Sequence, residues 1–424
     1  MIVRQSTIPA VNNNTVAAVP GPPLTVSAES RAEIMLKIGK YNRMTDDPVE
    51  QLIRNFGQAG KIHTVAAPGR VNLIGEHIDY HGLPVLPMAI RRQIRVAFRA
   101  RTDRRIQAVS SQLYGAREFE WTANLVPTTA GDWENYLRAA AQAVSRKWGV
   151  GLGVDAAVAA DLPPAAGLSS SSALIVAFTL ALLRANRIQA GFEELMDVLP
   201  EGEQFVGTRG GGMDHAASLA SRAGCASLIE FVPLSVRPIP IPEDWAFLVA
   251  HSLHTAEKSG SVRDRYNALR AAGADALKAL GFTSYAEAIK APLGPASSPV
   301  FLHVFLHVTS EALRVQDAVA AIERNDPLTF GRLLLESHAS LRDRLKVSCS
   351  ALDQLVAAAM ESGALGARLT GAGFGGCAVI FCRKPDRPRV RAGLVSRFYS
   401  GRPEFDQDQH LIDADPGPGA LYPD

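Results

Sequence analysis

The sequence predicts two packed domains of α+β type, and three observations carry that reading. At 424 residues the chain is longer than one small hydrophobic core serves. Segments that alternate β-branched and polar residues give way to segments with a helical apolar period, and then return. A proline-rich stretch from Pro233 to Pro242 separates two apolar runs just past the middle of the chain. Residues 1–28, rich in Pro, Asn and Val without sustained period, are expected to form a loosely ordered arm. Residues 29–230 would form the first domain and residues 231–424 the second, with the boundary somewhere within 222–245.

From Glu29 to Phe56 charged and apolar residues interleave at helical spacing, with a break near Asp46-Asp47-Pro48. Beyond Lys61 the runs IHTVAAPGRVNLIG and RRQIRVAFRAR read as strands, NYLRAAAQAVSRKWG as an amphipathic helix, and GVGLGVDAAVAADLP as a further strand. Ser169 to Ala185 turns into an Ala- and Leu-rich helix with its serines at the N-terminal end. SLIEF and WAFLVAHS flank the proline-rich stretch as strands. From Ser261 to Gly363 the pattern is largely helical, and ARLTGAGFGGCAVIFC reads as strand, glycine loop and strand. No internal repeat is visible.

Composition narrows the function classes. A net charge of +2, with the basic runs at Arg91-Arg92 and Arg101 to Arg105 broken by other residues, argues against a nucleic-acid partner. The cysteines (Cys225, Cys349, Cys377, Cys382) form no CxxC pair and lack the density of a disulfide scaffold, so they read as reduced thiols. No apolar stretch reaches the roughly 18 residues of a membrane span, and the first residues lack the basic and apolar blocks of a signal peptide. A cytoplasmic protein with no membrane partner is expected.

Four segments carry chemistry. In APGRVNLIGEHIDYHGLPVLPMAI, residues 67–90, Arg70, Glu76, His77 and Asp79 stand among apolar residues, a set that suits several hydroxyls at once, as a sugar presents. The same residues also suit an ion-paired loop of Arg70 with Glu76 or Asp79. In DLPPAAGLSSSSALIVAF, residues 161–178, a small-residue loop and four serines open a helix. Small side chains let phosphate oxygens reach backbone N–H groups, and the helix N-terminus favours negative charge. No Gly-Lys-Ser/Thr follows, so this is not a Walker sequence, and a plain Ser-capped helix is the alternative.

In EGEQFVGTRGGGMDHAAS, residues 201–218, three glycines precede Met213-Asp214, which places a carboxylate where backbone approaches a ligand closely. Such a carboxylate would accept a hydroxyl proton or stabilise its loss; Asp214 as a helix N-cap is the alternative. In ARLTGAGFGGCAVIF, residues 367–381, four glycines sit between strand-like runs, which a tight hairpin alone would also explain.

In this order and spacing the four motifs resemble the GHMP kinases, the family named for galactokinase, homoserine kinase, mevalonate kinase and phosphomevalonate kinase. GRVNLIGEHIDYHGLPVLPMA resembles the galactokinase signature almost residue for residue, and SHASLRDRLKVSCSALDQLV is similar to a helical segment of that branch. The likeness runs from about Phe56 to Phe381. It implies a two-domain fold with ATP and a sugar in the interdomain cleft, ATP-dependent phosphorylation of an anomeric C1 hydroxyl, Mg²⁺ as cofactor and a monomer. Asp214 then matches the catalytic aspartate, and Arg70 the arginine that pairs with it and steadies the transferring phosphoryl group. Glu76, His77, Asp79 and the backbone of Gly211 fall where the family grips the sugar. Ala166, Gly167, Leu168, Ser169, Ser170, Ser171 and Ser172 fall on the phosphate loop, and Gly371 and Gly373 on the loop that closes the cleft. Ser171 and Glu203 match the Mg²⁺ ligands, with Glu201 as the alternative carboxylate.

Two departures bear on the sugar. The family's sugar-contacting tyrosine after the domain boundary has Gly260 near its place, with no tyrosine until Tyr266. GTRGGGMD and IGEHIDYxGxxVLPMA resemble the N-acetylgalactosamine kinase branch more than the usual galactokinase pattern, which has a Pro-Cys-Gly run before the aspartate. Galactose is the leading substrate, and an N-acetylgalactosamine kinase or another sugar 1-kinase is the runner-up. A non-catalytic sugar sensor is the rival from another class, disfavoured by the intact GLSSSSA. His303 and His307 at i, i+4 spacing prompt a metal-hydrolase reading, but HVFLH lacks the glutamate of a zinc-protease motif, and packing against a helix face is the expected role.

Overall fold

The computed structural model describes residues 47–110, 114–163, 167–207, 210–254, 260–291 and 302–423, with backbone alone for residues 203–204 and 260–262. The expected N-terminal arm lies outside the described residues. The first helix, α1 (Pro48–Phe56), starts at Asp47, whose carboxylate accepts from Val49 N–H, with Pro48 in the first turn, where its missing N–H costs nothing.

Five strands follow: β1 (His63–Ile74), β2 (Leu86–Ala100), β3 (Arg105–Val109), β4 (Ala116–Glu120) and β5 (Val154–Ala160). They form one sheet in the order β1-β2-β5-β3-β4, antiparallel except for the β3–β5 pair. β1 is buried on both faces from Ala67 onward, which explains why its second half reads as a continuous apolar run rather than an alternation. Its pairing with β2 shifts register between Pro68 and Arg70, and such an irregularity re-aims the side chain beside it. That side chain is Arg70. The helices of this part are α2 (Glu134–Trp148), α3 (Ser170–Ala185), α4 (Phe192–Met196), α5 (Leu199–Phe205) and α6 (Met213–Ala220). α3 is buried almost all round, so it is apolar all round.

β6 (Cys225–Phe231) and β7 (Leu234–Pro240) form a two-stranded antiparallel sheet. The sequence marked residues 233–242 as a proline-rich connection, whereas most of it is strand. Proline is tolerated because a two-stranded ribbon has outer edges where no N–H is required; Pro238 lies opposite Ser227 and Pro240 opposite Cys225.

A four-stranded antiparallel sheet, ordered β11-β8-β10-β9, is built from β8 (Trp245–His251), β9 (Gly366–Leu369), β10 (Cys377–Arg383) and β11 (Leu411–Asp413). The aromatic rings of Trp245, Phe247, Phe330 and Phe381 pack against one another in its core. The predicted helical region resolves into α7 (Gly260–Ala279), α8 (Tyr285–Ala288), α9 (Leu302–Glu323), α10 (Pro327–Asp343) and α11 (Ser350–Glu361). Past it, α12 (Arg387–Leu394) and α13 (Gln407–His410) lead to β11. Cys377 and Cys382 are buried thiols, and Cys225 and Cys349 are half-buried. Among the described residues no helix is long and apolar enough to cross a membrane.

Candidate active site

Three polar residues from β1, the loop before α3 and α6 meet at one point. Arg70 Nε donates to Asp214 Oδ1 at 2.6 Å, and its Nη1 donates to the Gly167 carbonyl at 2.7 Å. Ser169 Oγ donates to Asp214 Oδ2 at 2.5 Å, with Ser172 Oγ at 3.5 Å. Both local alternatives are thereby decided. Ser169 occupies the N-cap of α3 in a left-handed conformation (φ 57°), but its hydroxyl serves Asp214 instead of the helix. The N-cap of α6 is Gly212 (φ 97°), and Asp214 lies inside the first turn with its carboxylate turned to Arg70. Nor is Arg70 limited to a local pair with Glu76 or Asp79.

Close backbone approach makes this meeting possible. A Cβ on Gly69 would stand 2.8 Å from the Leu168 carbonyl, and Arg70 N–H donates to that same carbonyl at 3.1 Å. Burial pushes the Asp214 carboxyl up, but the Arg70 charge and hydrogen bond and the Ser169 hydroxyl outweigh it, so the group stays below the usual carboxylate range. It is an anion at neutral pH and a weak base. A carboxylate so held can orient a hydroxyl and stabilise the charge left as that hydroxyl's proton departs.

Beside this centre, the turn after β1 presents Glu76, His77 and Asp79, all buried. Asp79 Oδ2 accepts from Gly211 N–H at 3.1 Å, and a Cβ on Gly211 would lie 2.4 Å from the Asp79 carbonyl carbon, so only glycine fits there. Burial first, then the charge of Asp214, push Asp79 up to about 7. His77 sits at φ 62°. Burial, then the neighbouring His307, push its imidazole down to about 3, so it is neutral. The Ala372 carbonyl can only accept, so His77 Nε2 carries the proton toward it at 3.2 Å and Nδ1 accepts from Tyr80 Oη at 2.9 Å. Tyr266, from α7, brings its ring to 5.3 Å from His77 and 5.5 Å from Tyr80. The nearest tyrosine in sequence after Gly260 thus packs against the signature turn.

The glycine loop between β9 and β10 closes on these residues. Gly371 N–H donates to Glu76 Oε1 at 2.6 Å, and the Thr370 hydroxyl lies 3.4 Å from the same oxygen. A Cβ on Gly373 would sit 2.4 Å from the Val347 carbonyl. Gly371 faces Gly167 across a gap in which a Cβ would lie 3.1 Å from the Gly167 carbonyl, so the loop before α3 and the glycine loop meet backbone to backbone. The motif is more than a hairpin.

Sequence reasoning missed the buried frame behind this set. His307 Nε2 donates to the Glu76 carbonyl at 3.0 Å while Nδ1 accepts from Ser340 Oγ at 2.9 Å, and burial pushes the ring down to about 4. Glu311, one turn on along α9, accepts from Gly75 N–H (3.0 Å), Ser337 Oγ (2.6 Å) and Arg314. The signal was present in the i, i+4, i+8 spacing of His303, His307 and Glu311, but it marked one helix face without saying what that face meets. His307 is buried and packs as expected, whereas His303 is exposed.

Of the remaining predicted residues, Leu168 is buried and Ser170 and Ser171 are half-buried in the first turn of α3. Ala166 lies outside the described residues, as does the side chain of Glu203, whose backbone belongs to α5. Glu201, the alternative, is exposed and ion-paired with Arg146 of α2.

Residues 50–100 match a family model described as the galactokinase galactose-binding signature. Residues 135–222 match the GHMP kinase N-terminal domain and residues 318–401 the GHMP kinase C-terminal domain. A galactokinase of Roseiflexus sp. (strain RS-1) is 36% identical over 365 residues, covering 82% of this chain and 91% of that protein. The chain belongs to the galactokinase branch of the GHMP kinases. A galactokinase of Chloroflexus aggregans is 38% identical over 324 residues, 74% of this chain and 82% of its own. The crystal structure of Lactococcus lactis galactokinase complexed with galactose superposes with a TM-score of 0.79 at 26% identity, covering 87% of this chain and 97% of that one. L. major mevalonate kinase in complex with R-mevalonate, at 19% identity and TM-score 0.60, shares the fold. The galactokinase signature coincides with β1, the Glu76–Asp79 turn and β2, and the N-terminal domain match spans α2 to α6. The two-domain α+β GHMP kinase fold expected from the sequence is the one observed.

Proposed function

We propose that this ATP-dependent sugar kinase phosphorylates the anomeric C1 hydroxyl of galactose, giving galactose 1-phosphate and ADP. One observation carries the reading: Asp214 is held as an anion between Arg70 and Ser169, beside a buried set of hydroxyl-binding groups. In-line phosphoryl transfer needs little covalent help from the protein, and positioning with electrostatic stabilisation supplies most of it. Asp214 would orient the C1 hydroxyl and stabilise it as its proton leaves. Arg70 would keep Asp214 ionised and neutralise charge on the phosphoryl oxygens. Glu76, Asp79 and the backbone of Gly211 would hold the remaining hydroxyls. In this reading His77, with both ring nitrogens engaged, contributes by joining the sugar turn to the glycine loop at Ala372.

Residues 166–172 and the N-terminus of α3 would cradle the phosphates of ATP, with Gly371 and Gly373 closing over them. The donor chemistry suits Mg²⁺: hydroxyl and carboxylate oxygens from Ser171 and Glu203, completed by phosphate oxygens, match the hard ligand set that this ion takes. When bound, it neutralises phosphate charge. Glu201 fits less well because Arg146 already holds its carboxylate. A division into domains at residues 29–230 and 231–424, a monomeric state and a cytoplasmic location accompany this reading.

The test is a coupled ADP-release assay with MgATP, comparing kcat/KM for galactose, N-acetylgalactosamine, glucose and arabinose. Preference for galactose supports the assignment. Preference for N-acetylgalactosamine would move it to the neighbouring branch, and silence on every sugar would leave a sensor.

A further inference from the structure

Strand β9 buries a side chain that none of the transfer chemistry above uses. Arg368 is wholly inaccessible, yet it carries a guanidinium, and burying such a charge is costly without a counter-charge. Its Nη1 donates to the carbonyls of Asn72 and Leu73, both at 3.0 Å, at the end of β1. Its Nη2 lies 3.6 Å from Glu76 Oε1. That oxygen is also the one approached by the Thr370 hydroxyl at 3.4 Å and Gly371 N–H at 2.6 Å. Residues 368 and 371 therefore bring a cation and a backbone donor to a single carboxylate oxygen, while the Thr370 hydroxyl donates more closely to the Asn72 carbonyl at 3.1 Å.

We propose that Arg368 is a positioning residue for sugar recognition, holding Glu76 ionised and fixed through Oε1 so that Oε2 accepts from the sugar. This rests on Glu76 being a sugar ligand. An ionised carboxylate is acceptor only, whereas a protonated one spends an oxygen on donating. The charge balance at Glu76 is set from several elements. Arg70 approaches from β1 and Arg368 from β9, Asp79 and Tyr80 lie in the same turn beside His77, and His307 of α9 reaches the Glu76 carbonyl. Burial wins and holds the Glu76 carboxyl above the usual carboxylate range, and Arg368, followed by Arg70, limits that rise. Glu311 also faces Arg368, but its oxygens are taken by Gly75, Ser337 and Arg314.

The experiment compares the wild type with R368M and R368K, reading KM for each substrate and the pH profile of kcat/KM for galactose from about pH 5.5 to 9. In R368M the KM for galactose should rise about tenfold or more at neutral pH, with the KM for ATP within about twofold. Its acid limb should move to higher pH, so that raising the pH restores part of the loss, while R368K keeps the wild-type limb. A wild-type KM and limb in R368M would overturn the proposal, as would a loss equal at every pH and shared by both substrates. Infrared difference spectra of the wild type against E76Q give a reading that needs no Arg368 variant to fold. A protonated buried carboxyl at pH 7 assigned to Glu76 overturns the proposal, and an ionised one supports it. Wild-type silence on galactose would instead sink the functional reading, which separates the two failures.

Discussion

Arg70 and Asp214 lie 144 positions apart in the chain and meet through a 2.6 Å hydrogen bond between Nε and Oδ1, with Arg70 almost wholly buried. The partner that a sequence-local pairing would give Arg70, Glu76 or Asp79, is not the one to which it donates this bond. In the proposed reaction the pair would manage the charge of transfer, and four expectations follow from it and its surroundings.

Substituting Asp214→Asn keeps the shape and removes the anion. Turnover should fall by about 1000-fold or more, within the range for losing a group that handles a proton in the transition state. ATP binding, measured by calorimetry with a non-hydrolysable analogue, should change by less than about threefold. Substantial surviving turnover would remove Asp214 from its assigned role.

Arg70→Lys tests geometry rather than charge. Arg70 spends Nε on Asp214 and Nη1 on the Gly167 carbonyl at once, and a single ammonium on a flexible stem does not reproduce that fork. The expected loss is about 100-fold in kcat, with a smaller change in the KM for galactose. A lysine variant with wild-type kcat would show that charge alone suffices.

Asp79 supplies a pH signature. Its folded-state value is pushed up to about 7 from an ordinary 3.8, mainly by burial and then by Asp214. The folded protein therefore binds this proton more tightly than the unfolded chain, and the associated stability is full below about 4 and lost as pH rises toward and through about 7. Asp79→Asn removes that dependence, so its stability relative to wild type should improve by a few kcal/mol between pH 4 and pH 8. Denaturant unfolding at both values decides it: an equal difference at each pH would mean that Asp79 does not titrate there.

Glu311 should matter for stability more than for chemistry. Burial opposes its charge, but Arg314, His307 and Arg368 hold its carboxyl down at about 2. Its folded pKa lies below the ordinary value, so the stabilisation is present above the usual carboxylate range and lost only as pH falls toward about 2. Glu311→Gln leaves Arg314 without its counter-charge and should cost about 3 kcal/mol, near-constant from neutral to alkaline pH. Thermal and denaturant unfolding read this out, with kcat of the folded fraction changed far less.

The proposed site residues were legible because they stand in short contiguous motifs: the Arg70, Glu76, His77 and Asp79 spacing, the serines opening α3 and the glycines before Asp214. What each motif meets is long-range, since Gly211 is pressed against Asp79 and Ser169 donates to Asp214. Helices with a clear apolar period were likewise legible. The strand at Leu234–Pro240 was not, because its tolerance of proline depends on having a free edge, which is a property of the sheet.

By itself the sequence determined the family and the two-domain α+β class, and it singled out the residues proposed to face a sugar and a phosphate. Only the tertiary structure decided their pairings: Ser169 with Asp214 rather than with its own helix, Gly371 with Glu76 across 295 positions, and Arg368 buried against the end of β1. Burial and partner choice set which carboxylates are held low and which are pushed up, and both depend on side chains that packing brings together from distant parts of the chain. No local period encodes that. Asp79 and Asp214 are the same residue type within one site, and their surroundings move their affinities for a proton in opposite directions.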